Sequence, residues 1–84
     1  MHIVFYRQDG CALCDEAEMM LKLVQEEYAF TWSTIDIRAD DAIHEKYMLM
    51  VPVIEYEEKV VVYGNIGYVD VVLFMEEHQV QAKK

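Results

Sequence analysis

An α/β domain in the order β-α-β-α-β-β-α is what this sequence predicts. Three features carry that expectation. An apolar strand, a long amphipathic helix and a second strand make a βαβ unit near the N-terminus, which implies parallel pairing and a right-handed crossover. Two β-branched runs beyond residue 50, joined by a short turn, read as an antiparallel hairpin. A closing segment keeps helical spacing. The sheet is therefore expected to be four-stranded and mixed.

His2-Ile3-Val4-Phe5-Tyr6 reads as the first strand and Arg7 to Gly10 as a loop. A helix is predicted from about Cys11 to Ala29-Phe30, because Leu13, Ala17, Met20, Leu21, Val24 and Tyr28 fall on one apolar stripe. Thr31 to Ile37 alternates and is rich in β-branched and aromatic residues, so it is the second strand. Asp40 is a candidate N-cap for a short helix to about Tyr47, with Ile43 and Tyr47 facing the core. Val53 to Tyr56 and Lys59 to Tyr63 form the hairpin. Glu57-Glu58 between them lacks the Asn-Gly or Asp-Gly of a two-residue loop, so a longer or type I-like loop is expected. From Asn65, a cap candidate, to about Gln79 the spacing of Ile66, Val69 and Leu73 favours a helix over the strand propensity of the valines. Lys83-Lys84 reads as a frayed end.

The chemistry lies in Gly10-Cys11-Ala12-Leu13-Cys14. A cysteine at a helix start sits where free N–H groups and the macrodipole favour an anion, and the thiolate is the reactive form of the residue. A second cysteine one turn on is within reach of the first. A strand, a loop and a Cys-x-x-Cys opening a helix together form a redox motif. Two buried core thiols are the blander alternative.

Length and composition limit the remaining choices. At 84 residues the chain is expected to be one domain, 1–84, near the smallest size that a single core sustains. Two cysteines cannot build the disulfide framework of a small secreted scaffold. No stretch reads as a signal peptide or a membrane span, so a cytoplasmic protein among reduced thiols is expected, with no membrane partner. A net charge of −9 repels phosphates, which argues against nucleic acid. His2, His44 and His78 are scattered and make no metal set with the cysteines. Trp32 on the second strand reads as packing rather than as a ligand platform.

With this element order, the stretch Gly10-Cys11-Ala12-Leu13-Cys14-Asp15-Glu16-Ala17 resembles that of small bacterial glutaredoxin-like proteins of the thioredoxin-fold superfamily. The resemblance covers nearly the whole chain. It implies a thioredoxin-like fold, with a four-stranded mixed sheet and helices on both faces. It also implies that Val51-Pro52, which holds the only proline of the chain, is a cis pair beside the cysteines. The implied activity is dithiol–disulfide exchange with protein substrates. Cys11 is then the nucleophile and Cys14 the resolving thiol, and Val51, Pro52, Gly10, Ala12 and Leu13 contact the substrate. The electron donor would be a thiol reductase or glutathione, the protein a monomer, and no cofactor would be bound.

Glutathione itself is less well provided for. Glutaredoxins generally carry a lysine where Gln8 stands, a threonine where Met50 stands, and an adjacent glycine pair that Gly64 and Gly67 do not supply. An anionic tripeptide approaching an acidic protein without those donors should bind weakly. Arg7 and Arg38 read as ordinary surface charge. Asp9, Asp15 and Glu16 near Cys11 should disfavour the thiolate that the helix end favours, leaving a comparatively reducing dithiol. Two other functions use the same residues: a soft-metal carrier holding Cu(I) or zinc on the two sulfurs, and an adaptor with silent cysteines. Copper-carrying domains run β-α-β-β-α-β, which sets the first of these below redox exchange.

Overall fold

A computed structural model describes residues 1–83. Its centre is the strand β1 (His2–Arg7), which runs parallel to β2 (Thr31–Asp36) on one side and antiparallel to β3 (Val53–Tyr56) on the other. β4 (Lys59–Tyr63) pairs antiparallel with β3 and gives the order β2-β1-β3-β4. The helices are α1 (Ala12–Gln25), α2 (Asp41–Tyr47) and α3 (Tyr68–Glu77), with a short 3₁₀ turn at Ile37–Ala39. The element order is the one expected, and it is that of a thioredoxin-like fold.

Alternation along the strands builds two cores. Ile3 and Phe5 of β1 and Ile54 of β3 point to the face covered by α1 and α3, where Ala17, Leu21, Val24, Val71 and Met75 meet them. Tyr6 and Val53 point the other way, onto Ile37 and Tyr47 at and before α2. A sheet with helices on both faces follows directly from this period of two.

Several boundaries differ from expectation. α1 stops at Gln25 rather than near Phe30, because the C-terminal segment returns and takes the backbone of residues 27–29. Ala29 N–H donates to the Gln81 carbonyl at 2.9 Å, Lys83 N–H donates to the Glu27 carbonyl at 2.8 Å, and Tyr28 bridges to Ala82. Lys83 is therefore tied down rather than frayed, while Lys84 lies outside the described residues. The buried face of α1 runs Cys14, Ala17, Leu21, Val24; Leu13 faces solvent, since Cys14 takes the inward position beside it. β2 ends at Asp36, whose side chain accepts the Arg38 N–H and starts the 3₁₀ turn.

The hairpin loop also differs. Tyr56 pairs with Lys59, so the loop has two residues, with Glu57 at φ 52° and Glu58 at φ 65°. Both are left-handed, as in a type I′ turn. The twist of the strands demands that turn, and their pairing offsets a cost of about 1–2 kcal/mol per non-glycine residue. α3 begins three residues after Asn65. Gly64, at φ +80°, turns the chain out of β4, and Gly67 becomes the cap, its N–H bonded to Asp70 Oδ2 at 2.8 Å. The helix buries Val71 and Met75, whereas Val69 and Leu73 are exposed.

Under α2 lies one buried carboxyl. Glu55, 8% exposed, accepts the Tyr6 hydroxyl at 3.1 Å through one oxygen and the Tyr47 hydroxyl through the other. The two rings pack with centroids 4.9 Å apart. Burial, and then Glu55, push both phenols above their ordinary range. The unfolded chain releases its phenolic protons near the ordinary value of about 10, while the folded chain holds these two beyond it. Their contribution is therefore complete below that pH and disappears as pH rises through the folded-state values. We expect the urea midpoint to fall as pH is raised above about 10, and Tyr47→Phe to flatten that fall. An equally steep fall in the variant contradicts the assignment.

Candidate active site

β1 delivers the chain into the loop Gln8-Asp9-Gly10, and Gly10 makes the turn at φ +73°, a left-handed conformation that suits glycine. Cys11 follows as the N-cap of α1, with extended backbone (φ −109°, ψ 105°). Its Sγ accepts the Cys14 N–H at 3.1 Å. A sulfur thus occupies the place usually held by a serine or aspartate oxygen. Cys11 and Cys14 are paired as a disulfide, their Cα atoms 5.2 Å apart, within the ordinary range for such a bridge. Cys11 is half-buried, Cys14 fully buried, and Ala12 and Leu13 between them are exposed.

The register of β1 against β3 brings the proline to the same end of the sheet. Tyr6 lies opposite Val53, so the residues that continue the two strands, Arg7 and Pro52, leave the sheet at the same end, where the chain enters the cysteine loop. The Val51-Pro52 peptide bond is cis, Pro52 is buried, and its carbonyl accepts the Gly64 N–H at 2.9 Å. Val51 is half-buried, and its N–H donates to the Tyr47 carbonyl at 3.1 Å, a carbonyl that Met50 N–H also reaches at 2.8 Å. Among the described residues no main-chain N–H bonds the Val51 carbonyl. The approach to this segment is apolar, with Met48 half-exposed and Leu49 91% exposed.

Arg7 and Arg38, read from the sequence as ordinary surface charge, are both ion-paired. Arg7 reaches over α1 to Asp15 at 2.7 Å and Glu18 at 3.1 Å, with its side chain only 16% exposed. Arg38 bridges Asp9 at 2.9 Å and Asp36 at 3.0 Å, and its side-chain hydrogen bonds to Asp36, followed by its backbone N–H, hold that carboxyl below its usual range. Two of the three acids that flank Cys11 in sequence are therefore paired, while Glu16 is exposed without an ion-pair partner among the described residues. Sequence distance hides the pairing of Arg38 with Asp9, because it depends on β2 ending beside β1. The Glu55 carboxyl was also not singled out by pattern; its one signal is an acidic residue inside the apolar run Val53-Ile54-Glu55-Tyr56.

No helix among the described residues is long and apolar enough to cross a membrane. Among the same residues, no three histidine, cysteine or acidic side chains converge as a metal site.

Removing the cation beside the cysteine loop gives a direct check on this charge balance. Arg7→Gln leaves Asp15 unpaired and should slow iodoacetamide alkylation of reduced Cys11 at neutral pH by about two- to threefold. An unchanged or faster rate, followed by mass spectrometry, contradicts the role given to Arg7.

Comparison with known proteins agrees with this geometry. The family model described as Glutaredoxin-like domain (DUF836) matches residues 2–83. A structural-genomics target protein from X. campestris superposes with a TM-score of 0.73 at 24% identity, over 89% of this chain and 96% of that one. Thioredoxin 1 from Thermosipho africanus gives a TM-score of 0.60 at 17% identity, covering 94% of each chain. Oxidised Escherichia coli glutaredoxin gives 0.55 at 25% identity, over 92% of this chain and 95% of that one. A comparison with curated protein sequences gives no match. With a thiol-redox fold, a close cysteine pair at its first helix and a family match across almost its full length, the chain belongs to the glutaredoxin-like domain family.

Proposed function

We propose that this protein is a dithiol–disulfide oxidoreductase that acts on protein substrates. One observation carries the reading: the half-buried Cys11 sulfur caps α1 and accepts the Cys14 N–H at 3.1 Å, with the Cys14 sulfur buried directly behind it. That N–H and the helix end favour the anionic form of the first sulfur, and burial shields the second from an incoming chain.

In the reductive direction, the Cys11 thiolate attacks one sulfur of a substrate disulfide. The S–S bond breaks, the second substrate sulfur leaves as a thiolate and takes a proton, and a mixed disulfide joins Cys11 to the substrate. Cys14 then loses its proton and attacks Cys11 Sγ. The mixed disulfide breaks, the substrate sulfur that was bonded to Cys11 leaves as a thiolate and takes a proton, and two electrons have passed to the substrate while Cys11–Cys14 becomes oxidised. A thiol reductase or glutathione returns the pair to the dithiol. Such turnover needs a supply of reducing equivalents, and the cytoplasm is the compartment we propose.

The substrate chain docks along Val51-Pro52, with Gly10, Ala12 and Leu13 on the other side of the sulfur. Because Val51 N–H is already donated to Tyr47, the pairing is one-sided: a substrate N–H donates to the Val51 carbonyl. Proteins suit this surface better than glutathione does. Arg7 and Arg38, the arginines nearest the cysteine loop, are both committed to carboxylates of the chain, and the exposed rim beside the loop is Leu13 and Leu49. No donor set for the carboxylates of a tripeptide is present among these residues.

A trapping experiment tests the proposal. Cys14→Ser should accumulate a mixed disulfide between Cys11 and a target protein from cell extract, released by dithiothreitol, whereas Cys11→Ser should accumulate none. Equal adducts from both variants contradict the assigned roles. Stoichiometric Cu(I) uptake by the wild type, with no adduct from Cys14→Ser, would favour the soft-metal alternative.

A further inference from the structure

We infer that Tyr47, held by the buried Glu55, is a positioning residue that sets the Val51 carbonyl for substrate pairing. The inference rests on the exchange reading above. Tyr47 occupies the last position of α2, and the chain then crosses from helix to β3 in five residues, Met48 to Pro52. That connection carries the substrate-facing backbone. Its first two residues are exposed, Met48 by half and Leu49 by 91%, whereas Met50 and Val51 pack partly against the core under α2 and Pro52 is buried.

Polar contacts add to that packing. The Tyr47 carbonyl accepts the N–H groups of Met50 and Val51, at 2.8 and 3.1 Å. The Tyr47 hydroxyl donates to Glu55, which lies three residues beyond Pro52 on β3. One residue therefore holds the third and fourth residues of the connection through its carbonyl and the strand that follows it through its phenol. A loop clamped at both ends loses less freedom when a substrate docks, so more of the interaction appears as binding. The ring of Tyr6 packs at a tilt against Tyr47, and its hydroxyl reaches the other Glu55 oxygen at 3.1 Å. Tyr6 shares the carboxyl but carries no part of the connection.

That difference separates positioning from general stability. Tyr47→Phe keeps the ring and the packing and removes only the phenolic clamp. Tyr6→Phe removes the neighbouring hydroxyl from the same carboxyl and serves as the matched control. Two readouts are compared on reduced proteins: single-turnover reduction of a synthetic peptide disulfide, which requires docking, and alkylation of Cys11 by iodoacetamide, which does not. Tyr47→Phe should raise the half-saturating peptide concentration by about tenfold, leave alkylation unchanged, and leave the maximal rate nearly so. Tyr6→Phe should change neither. Glu55→Gln, which keeps one acceptor oxygen, should fall between the two.

Peptide reduction by Tyr47→Phe at wild-type concentrations overturns the inference. So does an equal loss in Tyr6→Phe, or a parallel loss of alkylation, either of which marks a merely structural role. If the wild type itself reduces no peptide disulfide while Cys11 alkylates normally, the exchange reading fails and takes the positioning role with it.

Discussion

A sulfur atom stands where the first helix needs an acceptor, and the rest of the site depends on that placement. Every α-helix begins with N–H groups that have no partner within it. Here one of them, on Cys14, is satisfied by Cys11 Sγ at 3.1 Å. The arrangement couples folding to reactivity, because the bond that completes the helix is also the bond that favours a thiolate. It further dictates the inequality of the two cysteines. A residue at the cap is half outside the helix, whereas one a turn later, on the inward stripe with Ala17 and Leu21, is buried.

The sheet supplies the second half of the proposed site by register alone. β1 is central, and both the cysteine loop and the Val51-Pro52 segment leave the sheet at the same end because β1 and β3 run antiparallel with Tyr6 beside Val53. A slip of one residue would exchange the two faces and carry Tyr6 away from Glu55 and Tyr47. The buried carboxyl with its two phenols therefore records the register as well as filling the core under α2. Its polar atoms are all partnered, so a group that is costly to bury is tolerated there.

Much of this was legible from residue order. The helical period from Ala17 to Val24, the β-branched runs from Thr31 and from Val53, and the Asp40 cap, which accepts the Ile43 N–H, were local signals that tertiary packing did not override. The end of α1, the ion pair of Arg38 with Asp9 and the burial of Glu55 depend on partners remote in sequence, whereas the Glu57-Glu58 turn and the Gly67 cap answer to local geometry. α1 ends early because residues 81–83 claim its exit, and the Glu57-Glu58 turn is left-handed because strand twist outweighs side-chain preference. Arg38 reaches Asp9 only once β2 has been laid against β1. Glu55 inside an apolar strand was a visible anomaly, yet nothing in the pattern named its tyrosine partners.

For the proposed chemistry, the paired charges and the apolar rim favour an uncharged or basic protein segment over an anionic tripeptide. The order of attack is the central claim, and it is open to one direct measurement. Competitive alkylation of the fully reduced protein at neutral pH, with each cysteine quantified by mass spectrometry, compares the two thiols in the same molecule. Cys11 should be modified at least about tenfold faster than Cys14. Equal rates, or faster modification of Cys14, would contradict a mechanism in which the capping sulfur attacks and the buried one resolves.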